Sequence, residues 1–141
     1  MEPVIAAIGI NYETAPVEVR EIFSCSPKSG ILEELSYLSN LPGVEEIVLL
    51  STCNRVEIYA VLQGEEVVEN LLEEFIKLKI GNRPVEEFKK YFFVKTGREA
   101  VEHILSVPAG LVSMVVGESQ IASQFKEAFQ IGEKQGTLVP F

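Results

Sequence analysis

The sequence is poor in the residues that build metal sites and disulfide frameworks. It has two cysteines, Cys25 and Cys53, a single histidine, His103, and no tryptophan. The cysteines have neither a Cys-x-x-Cys spacing nor histidines beside them, so they indicate neither a disulfide-stabilised secreted domain nor a zinc site. We therefore expect a reduced compartment, no bound metal and thiols that are free to react.

Long apolar runs and an excess of positive charge are also missing. No stretch approaches the ~20 apolar residues of a membrane span, and the Met1-Glu2-Pro3 start lacks the basic residues of a secretory signal. The formal net charge of −9 disfavours general nucleic-acid binding, because phosphate groups are bound by basic surfaces. These features predict a cytoplasmic protein that does not enter a membrane.

The apolar content, in contrast, is high: 47% of the 141 residues are hydrophobic, which is enough for one well-cored domain. Helical spacing of apolar residues predicts helices after Ser26-Pro27, after Gly64 and after Thr96, where residues 96–99 have the spacing of a capping box. A last helix is predicted over residues 119–134. Apolar runs predict strands at residues 4–10, 46–51, 56–62 and 91–94.

This order of elements is β-α-β-β-α-β followed by helices. It is typical of the ferredoxin-like arrangement, an α+β fold with one four-stranded antiparallel sheet. We expect the helices to cover one face of that sheet. The layout by itself says nothing about chemistry, because it serves many unrelated functions.

Cys53 lies in a short polar break, residues 51–55, between two predicted strands. A loop held by a rigid sheet on both sides is a typical place for functional residues. Arg55 favours the thiolate, which attacks an activated carbonyl carbon to give a thioester. Thr52 and Asn54 supply donors for an oxyanion or a substrate carboxylate. From the residues alone, the alternative is a small buried apolar side chain, the common state of a free cysteine.

Four segments resemble, in order and spacing, those of glutamyl-tRNA reductases. They are STCNRVEIY (51–59), GINYETAPVEVRE (9–21), EAVEHILSVPAGLVSMVVGESQI (99–121) and QFKEAF (124–129). The resemblance covers essentially the whole chain. It implies that a cysteine displaces tRNA from the aminoacyl ester to give an enzyme-bound glutamyl thioester. NADPH then reduces the thioester to glutamate-1-semialdehyde, at the start of tetrapyrrole (porphyrin) biosynthesis.

By position, the resemblance implies that Cys53 is the nucleophile and that His103 is needed for activity. For His103, the residues alone leave a second interpretation, a half-buried histidine bonded to a backbone carbonyl. Arg55 is suited to pair with the carboxylate of the substrate, and Cys25 is interpreted as structural. The substrate-binding positions implied by the resemblance are Thr52, Asn54, Arg55, Ser113, Glu118, Ser119, Gln120 and Gln124.

The family's longer chains also contain an NADPH-binding Rossmann domain and a helical dimerisation domain. No Gly-x-Gly-x-x-Gly occurs in this sequence. We therefore expect residues 1–141 to be the catalytic domain, which forms the thioester without reducing it. We expect NADPH binding and homodimer formation to depend on regions outside these residues. The candidate contacts for the tRNA form a basic strip of four residues, Lys89, Lys90, Lys95 and Arg98. The alternative interpretation of these residues is a solvated face around an edge strand of the sheet.

Two other functions are compatible with the residues. One is a non-catalytic ferredoxin-like module for regulation or interaction, in which Cys53 would be inert. The other is a plain thiol hydrolase, which requires water at the thioester and a base such as His103.

Overall fold

The computed structural model describes residues 3–24, 28–52 and 54–107, and of residues 28–32 the backbone only. The predicted helix over residues 119–134 lies outside these ranges. The strands are β1 (Val4–Asn11), β2 (Val44–Ser51), β3 (Arg55–Leu62) and β4 (Phe93–Thr96). The helices are α1 (Val17–Phe23), α2 (Lys28–Ser39), α3 (Glu65–Ile80), α4 (Glu86–Lys89) and α5 (Gly97–Ser106).

The strands form one sheet in the order β2-β3-β1-β4, and every neighbouring pair is antiparallel. This is the ferredoxin-like order, so the predicted fold class is confirmed. β1 lies between β3 and β4, and six successive residues, 6–11, are buried. That explains why the segment is apolar without alternation: a strand with both faces covered has no polar side.

One face of the sheet carries the larger core. Residues of β1, β2 and β3 pack there against α1, α2, α3 and α4. Phe23 is at the centre of an aromatic group, with ring centroids 5.9 Å from Phe75, 5.8 Å from Phe88 and 5.0 Å from Phe92. The pairs with Phe88 and Phe92 are edge-to-face, and such contacts add to the stabilisation that comes from apolar burial.

The expectation that the helices cover one face of the sheet is wrong. Ala7, Tyr59 and Ala100 belong to a second buried cluster, and because side chains alternate along a strand, this cluster lies on the face opposite to Ile8 and Ile58. α5 packs there. The physical reason is that β1 and β2 carry apolar side chains on this face as well, among them Ala7 and Val48, so it also needs a cover.

Some local predictions also differ from the structure. The helices α1 and α4 were not predicted, and β4 begins at Phe93 rather than at residue 91. The capping box is absent, because the Thr96 side chain makes no cap hydrogen bond. Instead, Gly97 has a φ of 61°, a conformation that glycine adopts at little cost, and turns the chain from β4 into α5.

In the described part of the chain, no helix combines the length and the apolarity that crossing a membrane requires.

Candidate functional site

The loop that carries Cys53 closes the β2–β3 hairpin. Cys53 itself lies outside the described residues, but both of its neighbours are described. The backbone N–H of Thr52 donates to the carbonyl of Arg55 at 2.8 Å. The Thr52 hydroxyl accepts from the backbone N–H groups of Asn54, at 3.1 Å, and Arg55, at 3.2 Å. A threonine hydroxyl therefore closes this turn, which explains how it forms without glycine.

The end of β1 lies beside this hairpin, because Asn11 is the register partner of Arg55. The side-chain oxygen of Asn11 accepts from the backbone N–H groups of Glu13, at 2.8 Å, and Thr14, at 3.2 Å. Next to it, desolvation and the Glu13 carboxylate raise the pKa of the Tyr12 phenol, while the charge of Arg55 acts in the opposite direction. The turn of residues 11–14 and the end of the β2–β3 hairpin thus meet at one end of the sheet.

Arg55 and Glu57 form an ion pair in the protein interior. The Arg55 Nη1 atom is 2.9 Å from Glu57 Oε2, and both side chains are 0% exposed. Removing two charges from water is costly unless the remaining polar atoms are also bonded. The second oxygen of Glu57 meets this requirement: Oε1 accepts from the Tyr59 hydroxyl at 2.6 Å and lies 2.6 Å from His103 Nε2. We call these four residues, Arg55, Glu57, Tyr59 and His103, the Glu57 cluster.

The cluster depends on the glycine at position 9. Gly9 is the register partner of Glu57 in the β1–β3 ladder. A Cβ at residue 9 would lie 2.4 Å from the Val56 carbonyl oxygen and 2.9 Å from Glu57 Cγ. Both distances are too short for real atoms, so a glycine is needed where Glu57 passes over β1.

His103 enters the cluster from α5 and is 5% exposed. Its Nδ1 atom lies 3.3 Å from the Lys95 ammonium, and the Phe93 ring packs against the imidazole with centroids 5.0 Å apart. The interpretation of His103 as half-buried and bonded to a backbone carbonyl is wrong. The side chain is buried, and its partner on Nε2 is a carboxylate.

Tyr59 is the neutral hydrogen-bond donor of the cluster. Burial raises the pKa of its phenol well above 10.0, and the charge of Glu57 and their hydrogen bond raise it further, while Arg55 lowers it. The phenol therefore stays protonated at neutral pH and donates to Glu57.

Two of the predicted site residues, Arg55 and His103, are brought together, each bonded to a different oxygen of Glu57. Thr52 and Asn54 flank the Cys53 position. The other predicted positions lie outside the described residues: Cys53, Ser113, Glu118, Ser119, Gln120 and Gln124.

Three members of the site were not predicted as such: Glu57 and Tyr59 were not singled out, and Lys95 was predicted only as part of the basic strip. The signal for two of them was present in the sequence. Arg55, Glu57 and Tyr59 recur at every second residue of one strand, so they share one face of the sheet. A charged pair on a strand that is otherwise apolar indicates a buried polar cluster, because a charge is kept in the interior by a partner.

Each of the predicted basic-strip residues has a neighbour in the structure. Lys89 pairs with Glu69 and Glu73, and Arg98 pairs with Glu102 at 2.9 Å. Lys90 Nζ lies 5.3 Å from the centroid of the Tyr91 ring, and Lys95 contacts His103. The tRNA contact of this strip stays a prediction.

In chemical terms, the described part of the site offers one carboxylate, one guanidinium, one imidazole and one phenol in a chain of hydrogen bonds. Such a chain can orient groups at the Cys53 hairpin and can hold or move a proton. Across residues 3–24, 28–52 and 54–107, no group of three or more His, Cys, Asp or Glu side chains is arranged to hold a metal ion.

Comparison with known proteins identifies the family. The family model described as "Glutamyl-tRNAGlu reductase, N-terminal domain" matches residues 8–141. The chain is 46% identical over 138 residues to a glutamyl-tRNA reductase of Aquifex aeolicus, covering 95% of this chain and 32% of that protein. It is 40% identical over 136 residues to that of Microcystis aeruginosa, covering 95% of this chain and 31% of that protein.

Among solved structures, the glutamyl-tRNA reductase from Methanopyrus kandleri matches with a TM-score of 0.69 and 30% identity, over 96% of this chain and 29% of that one. The chain thus spans about a third of the length of these relatives. The likeness in sequence and the likeness in fold cover the same residues. They confirm the resemblance drawn from the motifs, and the chain belongs to the glutamyl-tRNA reductase family, in which it corresponds to the N-terminal domain.

Proposed function

We propose that this chain forms the thioester of glutamyl-tRNA reduction, with Cys53 as the nucleophile. The observation that carries the proposal is the anchoring of the Cys53 hairpin. Arg55, two residues after Cys53, is bonded through Glu57 to His103. The cation two residues after the nucleophile and the histidine are therefore parts of one buried arrangement, as expected of a site that must hold its groups in fixed places.

The proposed step is an acyl transfer. The Cys53 thiolate attacks the carbonyl carbon of the ester that joins glutamate to the terminal ribose of tRNA. A carbon–sulfur bond forms, the carbon–oxygen bond breaks, and the ribose oxygen leaves as a hydroxyl with the proton that the thiol lost. The positive charge of Arg55 near the hairpin favours the thiolate. His103 takes the second role, in holding a proton or in orienting the groups of the site, and it acts through Glu57 because both of its ring nitrogens already have partners.

Substrate recognition is proposed to lie around the same hairpin. Asn54 follows Cys53 in the sequence and carries an amide, and the Thr52 hydroxyl accepts from the backbone N–H of Asn54. Arg55 recognises the glutamyl carboxylate by a charge-assisted pair. Since its side chain is 0% exposed and its Nη1 atom is bonded to Glu57, the substrate carboxylate must enter the buried cluster to reach it. The remaining proposed contacts lie in the C-terminal part of the chain: Ser113, Glu118, Ser119, Gln120 and Gln124.

The reduction needs NADPH, which supplies a hydride that converts the thioester to glutamate-1-semialdehyde and releases the thiol. The described residues do not fit a dinucleotide in the Rossmann manner, because β1 is followed by the turn of residues 11–14, which contains no glycine. We assign NADPH binding, and the contacts of a homodimer, to regions outside residues 1–141. The proposal places the protein in the cytoplasm, in porphyrin biosynthesis.

The test is to incubate the chain with glutamyl-tRNA labelled in the glutamate, to trap the protein adduct and to map it by mass spectrometry. We expect the label on Cys53, no adduct in Cys53→Ser, and an unchanged adduct in the matched control Cys25→Ser. No adduct is expected in Cys53→Ser because serine is a far weaker nucleophile near neutral pH. The fold should be intact because the substitution changes only one atom. An adduct at another residue in Cys53→Ser would contradict the proposal.

The same experiment separates the proposed function from that of a non-catalytic module. For the non-catalytic module, Cys53 would form no adduct and would react with an alkylating agent no faster than Cys25. With NADPH added, we expect the thioester to persist or to release free glutamate slowly to water. Glutamate-1-semialdehyde formed by residues 1–141 alone would show that the assignment of NADPH binding is wrong.

A further inference from the structure

The polar contacts do not end at His103. They run from the Cys53 hairpin through Arg55, Glu57 and His103 to Lys95 on β4, with successive distances of 2.9, 2.6 and 3.3 Å. The first three side chains are buried, and Lys95 is half-buried. Lys95 is therefore the end of the chain that reaches the surface, and the acyl transfer described above assigns it no role.

The donors and acceptors along this chain determine the state of the imidazole. A lysine ammonium has three donors and no acceptor, so the hydrogen bond between Lys95 and His103 requires Nδ1 to be the acceptor. Glu57 accepts from Arg55 and Tyr59 and, as a carboxylate, accepts from His103 as well. The ring is then neutral and carries its single proton on Nε2.

The balance of buried charge supports this assignment. With a neutral ring, the Glu57 cluster contains one positive charge, on Arg55, and one negative charge, on Glu57. A proton on Nδ1 would add a second positive charge to a cluster whose side chains are 0–5% exposed, and such an unbalanced charge is costly in the interior. It would also stand 3.3 Å from the Lys95 ammonium.

We propose that Lys95 is a positioning residue for the acyl transfer. Its hydrogen bond keeps Nδ1 an acceptor, which keeps His103 neutral and oriented as a donor to Glu57. Glu57 in turn holds Arg55 beside the Cys53 hairpin. This inference rests on the proposed function and extends it to a residue on another strand. A phosphate contact with tRNA is the competing role of Lys95 and is separated by the test below.

The first measurement uses the fact that the chain has one histidine. A two-dimensional ¹H–¹⁵N spectrum of the ring shows a single imidazole, so its tautomer is read without assignment. We expect a protonated, pyrrole-type shift at Nε2 and an unprotonated, pyridine-type shift at Nδ1. An Nδ1–H tautomer, or a doubly protonated ring, at neutral pH in the unsubstituted chain would overturn the proposal without any variant.

The variants are Lys95→Met, Lys95→Arg and, as a matched control, Lys90→Met. In Lys95→Met we expect the two ¹⁵N shifts to move toward each other, because Nδ1 loses the donor that fixes it as the acceptor. Lys95→Arg retains a donor and should restore the separated shifts, and Lys90→Met should leave them unchanged. Shifts in Lys95→Met identical to those of the unsubstituted chain would mean that Glu57 alone sets the tautomer, and the role of Lys95 would be refuted.

The second measurement is the rate of thioester formation from glutamyl-tRNA. We expect Lys95→Met to slow it about tenfold at saturating substrate, as displaced supporting groups do, with unchanged tRNA affinity, and Lys95→Arg to recover it. A loss of tRNA affinity at an unchanged saturated rate would instead assign Lys95 to phosphate binding. If the unsubstituted chain formed no thioester, the proposed function would fail, and the ring spectrum would still decide how Lys95 and His103 interact.

Discussion

Gly9 and Glu57 face each other across the β1–β3 ladder, and the space that a side chain at residue 9 would fill is occupied by the Val56 carbonyl oxygen and by Glu57. The carboxylate that joins Arg55 to His103 therefore crosses the neighbouring strand where that strand has no side chain. The buried charge of Glu57 therefore requires a glycine at residue 9 of the neighbouring strand.

We predict that Gly9→Ala lowers the free energy of unfolding by about 3 kcal/mol, because the new methyl group forces either β3 or the Glu57 side chain to move and strains a buried ion pair. Urea denaturation measures the change. A Gly→Ala change at a position with room for a side chain leaves stability unchanged or raises it. That outcome for Gly9→Ala would show that the close contact with Val56 and Glu57 is not a constraint.

Arg55→Lys keeps the positive charge and removes the planar fork of the guanidinium. We expect it to weaken the discrimination between glutamyl and glutaminyl esters about tenfold, because a lysine cannot bind a carboxylate through two parallel hydrogen bonds. The measurement is the ratio of the rates of adduct formation with the two esters. If that ratio stayed the same, recognition of the substrate carboxylate would move to other positions, first of all Gln120 and Ser113.

Tyr59→Phe should lower the free energy of unfolding at pH 7 by about 2 kcal/mol, since the hydroxyl donates to a buried carboxylate. Its pH dependence has a definite sign. Because the pKa of Tyr59 is raised in the folded protein, its contribution is complete below the unfolded pKa, near 10. It is lost as the pH rises from there toward the folded value, since only the unfolded chain ionises readily.

Unfolding by urea at several pH values above 9 measures this effect. The unsubstituted chain should lose stability more steeply with rising pH than Tyr59→Phe does. Tyr37→Phe is the control for a phenol at the surface. If the free energy of unfolding fell equally steeply with pH in the unsubstituted chain and in Tyr59→Phe, burial of un-ionised Tyr59 would not be the cause of the loss of stability above pH 9.

The strands and the fold class could be predicted because β1, β2 and β3 are apolar runs separated by turn residues, and this local pattern determines the order of elements. The position of α5 could not be predicted from the sequence, because the apolar side of a helix does not reveal which face of a sheet the helix covers. α4 was missed because four residues, Glu86–Lys89, are too short for a helical period to show.

For the site, the residues around Cys53 could be singled out because they are contiguous in the sequence. Glu57 could not be linked to His103 from the sequence, because the two are separated by 46 positions and only the packing of α5 on the sheet, over β1 and β4, brings them together. Lys95 was predicted among basic residues at the surface because its charge is visible in the sequence, whereas its imidazole partner depends on how β4 and α5 meet.

The placement of α5 also bears on how the protein opens. The larger core lies on the opposite face of the sheet, and α5 has two buried side chains, Ala100 and His103. Segments with few buried contacts detach at a lower free energy than the sheet that they cover. Amide hydrogens of α5 should therefore exchange with solvent sooner than those of β1 and β3, and each such excursion would withdraw the histidine from Glu57 while the strand that holds Arg55 stays folded. The lifetime of the assembled cluster would then be set by the undocking of one ten-residue helix, a motion much faster than global unfolding.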